Sequence, residues 1–246
     1  MNLWWNYISD LDHWKATDGI AQRLGEHVAM SIGALLIATV VALPLGIAVG
    51  HSGKGDDLPI LFGVLGRLLP PLGVFAYFAM KTETGTGPAF VMLVLLGMAP
   101  IMSAGYAGVR LLDRAVIESA RASGMVPMHV LREIELPMAM PQLIAGVRRA
   151  AVAIVSMAAV AAYAGAKGLG RLIIDGQQPD VHDYGMVATG GFLVAVLAVV
   201  LDRIIDAFGR SLVPPGLYAT PSAALKEIQP RIAEPYVPPV PATPGY

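Results

Sequence analysis

The chain has 246 residues, 55% of them hydrophobic and only 14% charged, with a formal net charge of -1 and a mean hydropathy of +0.62. That balance is too apolar and charge-poor for an ordinary soluble domain of this length and points to a membrane protein. Dispersed Lys and Arg form no basic patch, which sets nucleic-acid binding aside, and the lack of cysteine excludes disulfides, Cys-ligated zinc, iron–sulfur clusters and thiol nucleophiles.

Residues 1–26 carry Asp10, Asp12, Asp18 and Glu26, lack a basic start, and precede an apolar run too long for a signal-peptide core, so they read as a retained extracytoplasmic or interfacial segment. Trp4, Trp5, Tyr7 and Trp14 have two readings: rings at the membrane–water boundary, or a disordered aromatic tail. A helix crosses roughly 30 Å of hydrocarbon with about 20 apolar residues. Five stretches approach that length: His27 to Gly50, Leu58 to Met80, Gly87 to Val109, Leu143 to Gly165, and Tyr184 to Phe208. The fold class is therefore all-α and polytopic, with a membrane domain over 27–213. If residues 110–142 are cytoplasmic, eleven of the 17 basic residues collect on that side, five on the other, and Arg67 lies inside a span. Cytoplasmic loops are enriched in Lys and Arg, so the N-terminus is expected outside and the C-terminus inside. From Pro214 onward the chain turns polar and Pro-rich, a composition expected to stay disordered and dispensable through residue 246.

Within the loop at about 110–141, the stretch DRAVIESARASGMVPMHVLREIELP, Asp113 to Pro137, predicts two short helices. Asp113 is placed to cap the first, whose apolar face is Val116, Ile117 and Ala120, and Gly124 is placed to end it in the left-handed conformation. Pro127 suits the first turn of the second helix, which presents Val130, Leu131 and Ile134, and Pro137 is expected to stop it. Each helix is apolar on one face, and a partner is expected to cover that face.

Glu118, Ser119 and Ala120, then Gly124, then Ile134, Leu136 and Pro137 nine residues on resemble the EAA loop of binding-protein-dependent ABC importer permeases, which reads EAA, three residues, G, nine residues, I, any residue, LP. Ser119 for the first alanine is the one departure. The resemblance implies a type I (MetI-like) permease fold and a loop seated in a groove of a cytoplasmic ATPase. Glu118, Ser119, Ala120 and Gly124 would form that contact, with Ile134, Leu136 and Pro137 fixing the exit into the next span. It also implies two ATPase subunits that bind the ATP and Mg, an extracytoplasmic substrate-binding protein, and a second copy of the permease or a homologue in a bacterial plasma membrane. The chain itself holds no cofactor on this reading.

The passages ELPMAMPQLIAGVRR (Glu135 to Arg149), GAKGLGRL (Gly165 to Leu172) and Pro214 to Leu217 are similar to the glycine betaine, carnitine, choline and proline permeases. Arg67, Pro70 and Leu72 resemble their second-span pattern, although Pro71 replaces a serine, and Lys167 replaces the second glycine of GAGGLG, which puts that turn's geometry in question. Methionine and phosphonate permeases share the loop and the glycine block, and so are the competing readings.

Arg67 is an intramembrane charge, with two roles open to it: bordering a translocation path, or being held by an ion pair, backbone capping or the cytoplasmic interface. Pro70 and Pro71 beside it predict a broken second span. Tyr77, Phe78, Phe75 and Tyr163 are the rings able to hold a quaternary ammonium by cation–π contact, or else to pack. The repeats Ala34, Ala38, Ala42, Gly46, Gly50 and Ala158, Ala162, Ala166 let helices approach closely, within the subunit or across a dimer. Asp202 and Asp206 are expected to pair with Arg203 and Arg210 at the surface. The five histidines are scattered, and no HExxH or nucleotide-binding GxxxxGK[ST] occurs, so no metal or catalytic residues are assigned and ATP hydrolysis falls to another chain. An intramembrane enzyme would need a polar catalytic set at one depth, and a stand-alone channel or carrier would not need the loop.

Overall fold

A computed structural model describes residues 3–55, 57–68, 73–74, 77 and 85–213, and every ordered element among them is helical. Two short N-terminal helices, α1 (Leu3–Ser9) and α2 (Leu11–Lys15), lead into α3 (Ile20–Ser52), then α4 (Asp57–Leu68) and α5 (Thr86–Arg110). The loop holds α6 (Arg114–Ala122) and α7 (Pro127–Val130); a π-turn (Leu131–Glu135) joins the latter to α8 (Leu136–Ala161). After a 3-10 turn at Ala162–Ala164 come α9 (Gly170–Gly176) and α10 (Tyr184–Leu212). Four helices among the described residues are long and apolar enough to cross a membrane: Ile20–Ser52, Thr86–Arg110, Pro127–Ala164 and Tyr184–Leu212. The Pro-rich segment 214–246 and the expected break at Pro70 and Pro71 lie outside the described residues.

Small residues set the register. A Cβ on Gly33 would meet Phe90, one on Gly46 would strike the Met102 carbonyl, and one on Gly50 would lie 2.8 Å from the Tyr106 carbonyl, so α3 and α5 run parallel at backbone contact. Gly97 faces Ile154, while Gly146 abuts Ala104 and the Pro100 carbonyl, so α8 runs antiparallel to α5. Gly209 of α10 packs on Ile144, and Arg148 reaches back to Asp202 and Asp206, so α10 runs antiparallel to α8. Because α3 and α5 point the same way, the chain must return to the far end between them, and α4, packed on α5, begins that return. This is the topological place of the expected second span. Ala34, Ala38 and Ala42 are fully buried against α5, and Ala158, Ala162 and Ala166 are equally buried. Both stripes serve packing within the subunit, where lipid supplies no hydrophobic drive and close van der Waals approach does the holding.

The N-terminal residues are ordered rather than a loose tail. Asp10 caps α2 through the Asp12 amide at 3.0 Å, Trp14 Nε1 donates to the Ile8 carbonyl at 2.7 Å, and Trp4 lies against Phe192 of α10. Burial, and then the nearby Asp183 carboxylate, raise the Tyr7 hydroxyl above its ordinary pKa. The first spanning helix starts at Ile20, before the expected His27.

At that far end, Arg23 binds Asp175 at 2.8 Å and Arg171 binds it at 2.6 Å, joining α3 to α9. The glycine block turns on Gly165 and Gly168, with φ of 85° and 107°, while Lys167 is not among the positive-φ residues. A side chain at 167 therefore strains nothing, and Lys167 lies 3.9 Å from Glu26.

Candidate functional site

The loop is built by its own sequence. Asp113 accepts from the Ala115 amide at 2.9 Å and so caps α6. At the other end Gly124 takes φ 87°, its amide donating to Arg121 at 3.0 Å while the Met125 amide reaches Ala120 at 3.3 Å. This is a Schellman closure, in which a left-handed residue satisfies the helix's last carbonyls. Pro127 occupies the first turn of α7, where its missing N–H has no bond to lose.

The two helices cover each other. Ile117, Ala120 and Val130 form a small core with Leu112, Met125 and Ile134 packed around it. The apolar face expected to await a partner is thus largely closed by the chain itself, leaving Val116, Val126 and Met128 exposed. Ala120, 8% exposed, is turned inward, and its small side chain lets α6 approach α7. Glu118, Ser119 and Gly124 are exposed, and Ile134, Leu136 and Pro137 are half-buried at the exit.

Pro137 does not stop the helix. The chain runs on as one helical span from Pro127 to Ala164, because the π-turn before Pro137 shifts the bonding by one residue. The Leu136 amide reaches back to the Leu131 carbonyl, an i to i−5 bond, and the widened turn relieves the clash a proline ring makes with the preceding turn. Glu135, the motif's unspecified position, is 3% exposed and sits 2.6 Å from Nδ1 of His51 at the end of α3. Sequence reading passed over both residues; a carboxylate inside an otherwise apolar exit was the available signal.

Asp202 and Asp206 do not simply pair along their own helix. Arg148 of α8 forks onto Asp202 at 2.7 and 2.8 Å and reaches Asp206 at 2.6 Å. Arg210 adds the expected bond to Asp206, at 2.6 Å, and no ion pair of Arg203 occurs among the described residues. An expectation drawn from sequence neighbours missed Arg148 because its separation is 54 positions. A cleft of about 480 Å³ opens beside this network, lined by Ala145, Arg148, Arg149, Val152, Ser156 and Asp202.

Of the path residues, Tyr77 is 58% and Tyr163 62% exposed. The backbone of Arg67 lies in α4, while its side chain and Pro70 are outside the described residues. No group of three or more His, Asp or Glu is placed to hold a metal among the described residues.

Residues 42–214 match the family described as binding-protein-dependent transport system inner membrane component. The chain is 30% identical to the glycine betaine/carnitine/choline transport system permease protein OpuCB of Bacillus subtilis, over 79% of this chain and 89% of that one. It is 31% identical to the choline transport system permease protein OpuBB of the same organism, over 78% and 88%. With the osmoprotectant import permease protein OsmY of Salmonella typhimurium it shares 32% identity over 76% and 80%. The inward-facing MetNI methionine ABC transporter superposes with a TM-score of 0.68 at 20% identity, covering 79% of this chain and 96% of that one, a likeness of fold. A helical bundle that carries an exposed two-helix loop, with this match over most of its length, belongs to the binding-protein-dependent inner membrane transport components, and its fold is that of the MetI-type permeases.

Proposed function

We propose that this chain is the permease subunit of an ATP-driven importer of quaternary-ammonium osmoprotectants: glycine betaine, choline, carnitine or proline. The observation that carries this reading is the joint one of an exposed, self-braced loop and relatives named for those substrates along about four fifths of the chain. The loop presents Glu118, Ser119 and Gly124 outward on a rigid two-helix unit. Such a protrusion suits a groove in an ATPase better than a free membrane surface. Two ATPases would carry the ATP and Mg, a binding protein outside would deliver substrate, and a second copy of this chain or a homologue would complete the path, Arg67, Pro70, Tyr77 and Tyr163 being candidates to line it. The work is vectorial: ATP binding draws the loops together and opens the path outward, and hydrolysis resets it. Lys and Arg bias supports a cytoplasmic loop and C-terminus with the N-terminal helices outside.

The test is uptake by proteoliposomes holding this chain with its partner ATPase and binding protein, using labelled glycine betaine, choline, carnitine, proline, methionine and phosphonate. ATP-dependent accumulation of any of the first four is expected. Accumulation of methionine or phosphonate alone overturns the substrate, and uptake without any ATPase overturns the importer.

A further inference from the structure

We infer that His51 and Glu135 form a latch that ties the exit of the loop to the end of α3, so that loop and spans move as one body during transport. The inference rests on the proposed function, since it concerns how a loop seated on an ATPase would transmit motion.

Three features meet at this point. The first is the bond: Nδ1 of His51 lies 2.6 Å from Oε2 of Glu135, across 84 positions of sequence. Glu135 is 3% exposed, so its carboxylate has lost nearly all its water and depends on this partner. At this distance one hydrogen is shared between the imidazole nitrogen and the carboxylate oxygen. The second is the joint: Glu135 closes the π-turn, the one departure from α-helical bonding between the loop's second helix and the span it feeds. A π-turn is a natural place for a helix to bend or ratchet. The third is the surroundings. Leu136 and Met140, like Leu43 and Ile47 of α3, pack against the buried cluster of Val109, Ala139 and Leu143 that follows the bond along the helix. Gly53, left-handed at φ 63°, ends α3 immediately after His51.

Apolar contacts of this kind hold surfaces together yet allow them to slide by a fraction of a turn. A short bond to a buried carboxylate does not slide, because any other arrangement leaves the charge without a partner. The latch therefore fixes the register that the apolar cluster leaves loose. It removes the freedom the π-turn would otherwise give the loop to swing without moving α3. His51 and Glu135 are positioning residues on this account and touch no substrate.

The experiment measures ATP hydrolysed per molecule imported, in proteoliposomes of the full complex with labelled glycine betaine, choline, carnitine or proline, whichever the native chain takes up. His51→Leu is expected to raise that ratio about tenfold, the factor for one lost charge-assisted hydrogen bond, with the amount of assembled complex unchanged. His51→Asn, whose amide N–H reaches the same acceptor, is expected to stay within about twofold of the native ratio. Hydrolysis and import falling together at an unchanged ratio would mean a merely structural pair and would overturn the latch. Should His51→Leu fail to assemble, His51→Cys with Glu135→Cys uses the cysteine-free background. Bridging the two thiols with a short bis-maleimide must restore a low ratio, and equal ratios with and without the bridge overturn the proposal. Failure of the native complex to import any of these four compounds with ATP overturns the functional reading itself, and that arm is read first.

Discussion

Gly124 is needed for its backbone and not for space, and that distinction gives a graded test. Its φ is 87°, and nothing lies within 4 Å of where a Cβ would stand. A side chain there meets no neighbour, so the penalty is that of holding an L-residue left-handed, about 1–2 kcal/mol for alanine. At 0.59 kcal/mol per RT this favours opening of the turn about 5- to 30-fold. The bond that reports it is Met125 amide to Ala120 carbonyl, at 3.3 Å. Hydrogen exchange of the peptide covering 119–125 in Gly124→Ala is expected to quicken by that factor, and by less in Gly124→Asn, whose short polar side chain tolerates the left-handed region. Gly124→Asp matches asparagine in shape and adds a charge to the exposed face, so it is expected to insert normally and lose uptake while Gly124→Asn keeps most of it. Unchanged exchange in the alanine variant would refute the backbone argument, and equal uptake by the aspartate and asparagine variants would refute the assignment of this face to the ATPase.

Arg148→Leu leaves Asp206 with Arg210 and takes away the ion pair of Asp202, a loss of about 1 kcal/mol for a partly exposed network, read as a lower melting temperature of the purified complex. Arg148→Lys should recover only part of it, because an ammonium cannot fork across Asp202 and reach Asp206. Gly146→Val drives its Cβ into Ala104 and the Pro100 carbonyl and is expected to cost at least about 1–3 kcal/mol, seen as protease sensitivity of the membrane-inserted chain. Gly191→Ala, with open space around it, is the silent control. In the glycine block, Lys167→Gly should leave uptake unchanged, whereas Gly168→Ala combines φ 107° with contacts of 3.1 Å to the buried His27 ring and should lower the folded yield.

What the sequence made legible is what is encoded locally. The apolar runs located four spanning helices among the described residues, because a crossing needs a fixed length of apolar chain, while most of the expected second span lies outside those residues. Asp113, Gly124 and Pro127 placed the loop's turns because caps and left-handed glycines act within a few residues of themselves. Pro137 was misread for the complementary reason. A proline's local preference says stop, and the π-turn that lets the helix pass is held by a histidine 84 positions away. Asp206 kept its neighbour Arg210 as expected, yet the stronger geometry comes from Arg148 on another helix. The N-terminal aromatics followed the same rule: ring composition suggested an interface, and only the fold supplies the α10 surface that orders them.

The ion pairs that local reasoning missed join helices far apart in sequence. At the loop end is His51 with Glu135; two residues past Gly146 is Arg148 with Asp202 and Asp206; at the far end are Arg23 and Arg171 with Asp175. Between them α3, α5 and α8 meet through alanine and glycine, so closely that added methyl groups at Gly46 and Gly146 would overlap the neighbouring helix. Backbones in such contact cannot slide past each other without opening voids that lipid tails do not fill. The three helices should accordingly move as one rigid body, and a displacement imposed on the loop should arrive at the opposite membrane face undiminished. Because the His51–Glu135 bond ties the π-turn at Leu131–Glu135 to α3, the exit of the loop belongs to that body as well, and flexibility is left to the loop beyond it. Hydrogen exchange during ATP turnover should therefore change in the loop before that turn while the turn and the α3–α5–α8 contact residues stay protected, and exchange rising through Ala34 to Ala42 would show that the body is not rigid.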